Sequence, residues 1–138
     1  MVRTKGKSRY RGAAIVEAAV VFPWIFLLTF GVIEYGWLFL KAQQIINAAR
    51  QGARIGIRAD ATGPQVLNEI SRLMTDARMD DSGYDVIITP ADISSLSVGD
   101  TLEVRITVPC TNIVIINLPL LPKPVNLVAT VAMAKEGP

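Results

Sequence analysis

Histidine is absent from this 138-residue chain, and cysteine occurs once, at position 110. Without histidine, the commonest general base and metal ligand at neutral pH is missing. One cysteine excludes an intrachain disulfide, so no framework of crosslinks holds the fold. Cys110 reads as a small buried hydrophobe. The chain contains no glycine-rich phosphate loop, no His/Cys set with metal spacing and no nucleophile–histidine pair. Asp76, Asp80 and Asp81 lack the calcium-loop pattern and read as a solvated acidic surface. Acids are also missing from the first eleven residues, where Arg3, Lys5, Lys7, Arg9 and Arg11 supply five positive charges. From Ala13 on, nine basic residues face all twelve acids, so the net charge of +2 hides two regions of opposite sign. A basic arm can serve nucleic acid, but here a hydrophobic segment follows it directly. Positive residues beside such a segment mark a cytoplasmic flank, and no nucleic-acid role is expected.

What is present in excess is apolar: 51% of the residues are hydrophobic, concentrated near the N-terminus. Ala18 to Leu40 runs 23 residues with a single charge, Glu34. At ~1.5 Å per residue this is roughly 35 Å of helix, enough to cross a bilayer core with some tilt. A cleavable secretory signal would have a shorter, acid-free apolar core and small residues at its end. The stretch that follows, "KAQQIINAARQGARIGIRA", is instead rich in helix formers, so the segment reads as a retained anchor. Beyond it Lys41, Arg50, Arg54 and Arg58 are spread over 18 positions, against five basic residues within the first eleven. The expected arrangement is single-pass in the cytoplasmic membrane, N-terminus inside and C-terminal domain outside.

The helix is expected to continue past the membrane, from Ala13 to Arg58, about 46 residues and roughly 70 Å. Ala48, Gly52 and Gly56 recur at i+4 as a narrow ridge of small residues, and Arg50, Arg54 and Arg58 form a second ridge on another face. Each glycine costs about 1 kcal/mol relative to alanine inside a helix. Either this region is a frayed connector, or Gly52 and Gly56 admit the close approach of another element. The expectation is helix packing there, tested as a docking face for partner subunits. Thr62-Gly63-Pro64 opens a second helix. Val66, Leu67, Ile70, Leu73 and Met74 give it an amphipathic stripe to about Met79. After "DDSG" the period becomes two. Leu102, Val104, Ile106 and Val108 alternate with polar residues from Thr101 to Thr107, with Gly99-Asp100 turning into that strand. "YDVIIT" and "NLVATVAMA" are weaker strands. The expected fold is α+β: a long N-terminal membrane-spanning helix, an amphipathic second helix and an antiparallel sheet of about three strands. Residues 1–12 form a basic leader, 13–58 the long helix with its transmembrane part at 18–40, and 59–138 a small extracytoplasmic domain. "PCTNIVIINLPLLPKP" is apolar but interrupted by Pro109, Pro119, Pro122 and Pro124, which exclude a long helix or a central strand. Packing over the sheet, lying on the membrane and contacting a subunit are all compatible with it.

Two acids stand in or beside the apolar run. Glu17 and Glu34 fail as a catalytic pair, since seventeen residues of helix part them by roughly 25 Å and about 100° in azimuth. The chain is not expected to be an enzyme, and no cofactor, metal or small-molecule substrate is implied. Gly12 followed by "AAIVE" resembles the processing signature of type IV pilin-like proteins. More narrowly, "GAAIVEAAVVFPWIFLLTFGVIEYGWLF" with "INAARQGARIGIR" resembles TadE-like minor pseudopilins of tight-adherence pilus systems, as does the closing "LVATVAMAKE". That resemblance implies cleavage between Gly12 and Ala13 by a prepilin peptidase. It also implies assembly with other pilin or pseudopilin subunits, with Glu17 meeting the amino terminus of a neighbour. For Glu34, seven residues before Lys41, a subunit contact and an idle protonated acid stay equally open. The alternative is an unprocessed single-pass anchor carrying a small binding module.

Overall fold

The computed structural model describes residues 7–117 and 122–137, with side chains from Gly12 onward. Helix α1 (Lys7–Gly56) contains 50 residues. It begins six residues before Ala13, because "KSRYRG" holds no proline or turn pair to stop it, so the expected leader boundary falls inside the helix. At the other end the chain tightens: Ile57 N–H still donates to Ala53 O at 3.0 Å, but Arg58 N–H donates to Ile55 O at 3.2 Å. That switch to a three-residue spacing closes the helix two residues short of Arg58. Pro23 lies within α1 without ending it, although its missing N–H deprives the Ala19 carbonyl of a donor.

The two halves of α1 meet different surroundings. Ile15, Trp24, Leu28 and Val32 are each at least two-thirds exposed. The apolar stretch has mean hydropathy 2.1 and is almost unburied by the rest of the chain. By length and composition α1 can cross a membrane, and its position near the N-terminus fits a single-pass membrane protein. From Leu38 onward one face turns inward, with Ile45, Ala48, Ala49 and Ala53 buried.

Helix α2 (Gly63–Asp76) starts where Thr62 N–H donates to the Gln65 side chain at 3.0 Å. It buries Val66, Ile70 and Met74 at helical spacing. Leu67, expected in that stripe, faces outward. The helix stops at Asp76 rather than near Met79 because Arg78 adopts a left-handed φ of 53°. Met79 N–H then reaches back to Met74 O at 2.8 Å, and the Met79 side chain is buried.

Strands β1 (Asp85–Thr89), β2 (Thr101–Pro109) and β3 (Asn126–Ala134) form an antiparallel sheet in the order β1-β2-β3. Register runs from Asp85 opposite Thr107 to Thr89 opposite Glu103, and from Thr101 opposite Ala134 to Pro109 opposite Asn126. The strict alternation in β2 puts Leu102, Val104, Ile106 and Val108 on one face, all fully buried beneath the helices. Gly99, with φ 91°, makes the turn into β2 as its sequence position implied. The fold is α+β.

The proline-rich segment is an excursion between two paired strands. Cys110 N–H donates to Val125 O at 2.9 Å, so the chain leaves and rejoins the sheet at one point. Between them, described residues of the segment reach the exit of the apolar half of α1. Trp37 Nε1–H donates to Ile113 O at 2.8 Å, and the Tyr35 hydroxyl donates to Pro122 O. The described residues of the segment strap the long helix of their own chain, a placement not among the three left open from sequence.

Candidate functional site

Gly12, Ala13 and Glu17 lie on the exposed N-terminal part of α1. Nothing would touch a Cβ at Gly12 within 4 Å, so this glycine relieves no crowding inside the chain. Its effect on the helix is to weaken it locally by about 1 kcal/mol. Ala13 and Glu17 are four residues apart and share a helical face. The residues three and four positions from Glu17 are Ala13, Ala14, Val20 and Val21, none with a charged side chain. The carboxylate therefore stands among apolar neighbours on its own helix.

Glu34 is in a different situation, at 4% exposure. Its Oε2 accepts a hydrogen bond from Ile116 N–H at 2.9 Å, while its buried Oε1 has no partner among the described residues. Lys41 does not pair with it. Instead Lys41 Nζ donates to Ala77 O at 2.5 Å, just past the end of α2, and lies 4.7 Å from the centre of the Trp37 ring. Burial holds the Lys41 ammonium below its ordinary value, and the nearby Arg78 charge adds to the effect. Glu34, Tyr35, Trp37 and Lys41 thus pin the strap and the end of α2 to one level of α1. From sequence, Glu34 stood out and Lys41 was noted seven residues on, but Trp37 was passed over and the contact of Lys41 with Ala77 was not foreseen. The spacing of Trp37 and Lys41, three and seven residues from Glu34 on one helical face, was the available signal. Ile116 contributes only its backbone and leaves none.

The small-residue ridge is filled from within. A Cβ at Gly52 would lie 2.7 Å from Ile70 of α2, and one at Gly56 would lie 2.3 Å from Leu102 of β2. Ala48 on the same ridge is 1% exposed. The close approach anticipated at these glycines is made by the chain's own α2 and β2, which leaves no free docking face for a partner subunit there. Cys110 is buried, and burial pushes its thiol above the ordinary range against the opposing charge of Lys123. Among the described residues no group of three or more His, Cys, Asp or Glu side chains is placed to hold a metal ion.

The model of the TadE-like protein family matches residues 12–54, from the glycine through almost all of α1. Neither a curated protein nor a solved structure matches the chain. The matched stretch carries the residues that resemble this family. Together with the apolar helix, it supports a pilus-related membrane protein.

Proposed function

We propose that this chain, matched to the TadE-like family over α1, is a minor pseudopilin. It is cut after Gly12 by a prepilin peptidase on the cytoplasmic side and takes part in assembling a tight-adherence type pilus or related secretion fibre. Its role is structural, without catalysis or cofactor. The observation that carries this reading is Glu17: an acid at an exposed position of an apolar helix, four residues from the residue that cleavage would make N-terminal. Bringing a carboxylate into a bilayer costs roughly 2.5–3.5 kcal/mol on insertion scales. A new ammonium on Ala13 of a neighbouring subunit, at about 4 Å and an effective dielectric of 20, returns about 4 kcal/mol. The two terms nearly cancel, so the pair adds little affinity. It sets register, since a misplaced subunit keeps the burial cost.

Glu34 belongs to this reading in a changed role. Its bond to Ile116 N–H ties the strap to α1, which shapes the surface that neighbouring subunits meet at the membrane exit. The unprocessed anchor has one observation in its favour, the continuity of α1 from Lys7 through the Gly12–Ala13 bond. Sequencing the N-terminus of the membrane protein decides between them. A mature chain is expected to start at Ala13, and Gly12→Val is expected to keep its five leader charges. Glu17→Gln is expected to be cut normally but to be lost from sheared fibres. A wild-type chain starting at Met1 or Val2 refutes processing, and a cut Glu17→Gln chain incorporated at wild-type level removes Glu17 from assembly.

A further inference from the structure

Three hydrogen bonds fix the height of the strap on α1. Trp37 Nε1–H donates to Ile113 O, Ile116 N–H donates to the Glu34 carboxylate, and the Tyr35 hydroxyl donates to Pro122 O. Trp37, Glu34 and Tyr35 all precede Leu40, so the strap meets the helix roughly 5–9 Å inside the end of the apolar run. That run is about 35 Å long, against a hydrocarbon core of roughly 30 Å. Even with all of the excess on this side, Glu34 stands about 4 Å inside the core and Trp37 close to its edge. The uncovered face of α1 stays apolar through this level: Tyr35 is 46% exposed, Phe39 66% and Leu40 47%. Lipid that covers those side chains also reaches the strap beside them.

The chemistry of the strap suits that level. Residues 113–117 and Pro122 carry no charged side chain. Ile115, bracketed by the contacts of Ile113 and Ile116 with α1, is 54% exposed. Asn117, the one polar side chain among them, accepts from Lys123 Nζ. Residues 113–117 are neither helix nor strand, so no ladder satisfies their main chain. Side chains of α1 do so instead, and the Ile113 and Val114 N–H groups donate back to Cys110 O at 3.1 and 3.2 Å. Irregular main chain at hydrocarbon depth needs such partners, whereas in solution water would serve. The sheet also points the right way. Its strap end is closed by Cys110 N–H on Val125 O, while at its other end Glu136 N–H donates to Ile57 O at 3.0 Å. Ile57 lies roughly 25 Å beyond Leu40, well outside the bilayer when α1 stands upright.

From this we infer that residues 113–116 and Pro122 lie in the lipid leaflet from which α1 emerges, with Ile115 against acyl chains just below the headgroups. The inference rests on α1 crossing the bilayer, and on neither the cut after Gly12 nor the side that faces the cytoplasm. A helix alone is free to tilt in any direction. A strap immersed on one side of it, with Tyr35 and Trp37 as aromatic anchors at the same level, fixes the direction of tilt. The folded domain, continuous with α1, is then held in one attitude to the membrane surface.

The test uses the full chain in phosphatidylcholine vesicles, with a nitroxide on a cysteine placed at one of three positions. Ile115→Cys reports the strap, Leu28→Cys the middle of the apolar run, and Val98→Cys the far end of the domain, where Gly99 N–H donates to Lys135 O at 3.1 Å. Leu28 and Val98 are 70% and 65% exposed. Cys110 is buried and stays in place, so a single label per chain shows that each variant is folded. Oxygen concentrates in hydrocarbon and a neutral nickel chelate stays in water, so the ratio of their collision rates should be at least about threefold higher at 115 than at 98. The ratio at 28 should be higher still. A water-like ratio at 115 with a lipid-like ratio at 28 overturns the inference and leaves α1 in the membrane. Protection of 115 from both reagents also overturns it, because a protein surface then covers the strap. A water-like ratio at 28 refutes the membrane span and the inference with it. The unmodified chain supplies a second measurement that no substitution can disturb. Photolysis in vesicles holding phosphatidylcholine with a diazirine on its acyl chain is expected to tag residues 113–116 as well as α1. Tags confined to α1 overturn the inference.

Discussion

Replacing Gly56 by alanine sets two known quantities against each other. Alanine raises local helix stability by about 1 kcal/mol. The added Cβ would lie 2.3 Å from Leu102 Cδ2 and 3.2 Å from Val66 Cγ2, where ordinary contact begins near 3.5 Å. Leu102 is fully buried in the central strand, so its methyl cannot swing into solvent. Overpacking of this kind costs roughly 1–3 kcal/mol, and the net expectation is a loss of about 0–2 kcal/mol. Leu102→Ala alone should cost roughly 2–5 kcal/mol through the cavity it opens. In that background the Leu102 methyl is gone and only the Val66 contact at 3.2 Å remains, so Gly56→Ala should stabilise by up to about 1 kcal/mol. The sign reversal is the test, and the coupling between the two sites should be about 1–3 kcal/mol. Urea unfolding of the full chain in detergent, read by the reactivity of Cys110, measures all four corners of the cycle. If Gly56→Ala has the same effect in both backgrounds to within about 0.5 kcal/mol, the packing argument for this glycine is wrong.

Two further outcomes follow from the strap and its surroundings. Glu34→Leu enters a bilayer more easily but leaves Ile116 N–H without its acceptor, at a cost of about 1–3 kcal/mol. Amide exchange at Ile116 should accelerate in that variant and stay slow in Glu34→Gln, which keeps an oxygen acceptor; equal exchange in the two would dissociate Glu34 from the strap. Cys110 is 1% exposed and its thiol is held above the ordinary range by burial. A maleimide at pH 7 should label the native chain at least tenfold more slowly than the urea-unfolded chain, and equal rates would place this cysteine at the surface.

Several features were legible without coordinates because each rests on local pattern. Leu102, Val104, Ile106 and Val108 announce a strand by period two, and β2 buries all four. The apolar run to Leu40 announces a helix long and apolar enough to cross a membrane, and the stretch from Gly12 carries the resemblance that the TadE-like family model matches. Element ends were less legible. Arg78 closes α2 by taking a left-handed φ that favours glycine or asparagine, and nothing in "KSRYRG" tells a leader from the start of α1. Tertiary structure alone decided who meets whom. Gly52 and Gly56 demand a close neighbour on any reading, but a helical pattern does not identify it, and the folded chain supplies Ile70 and Leu102. The partner of Glu34 is a backbone N–H 82 residues away, at Ile116. Composition records side chains and periodicity records faces. A long-range bond to the main chain leaves a mark on neither, so only the fold could reveal it.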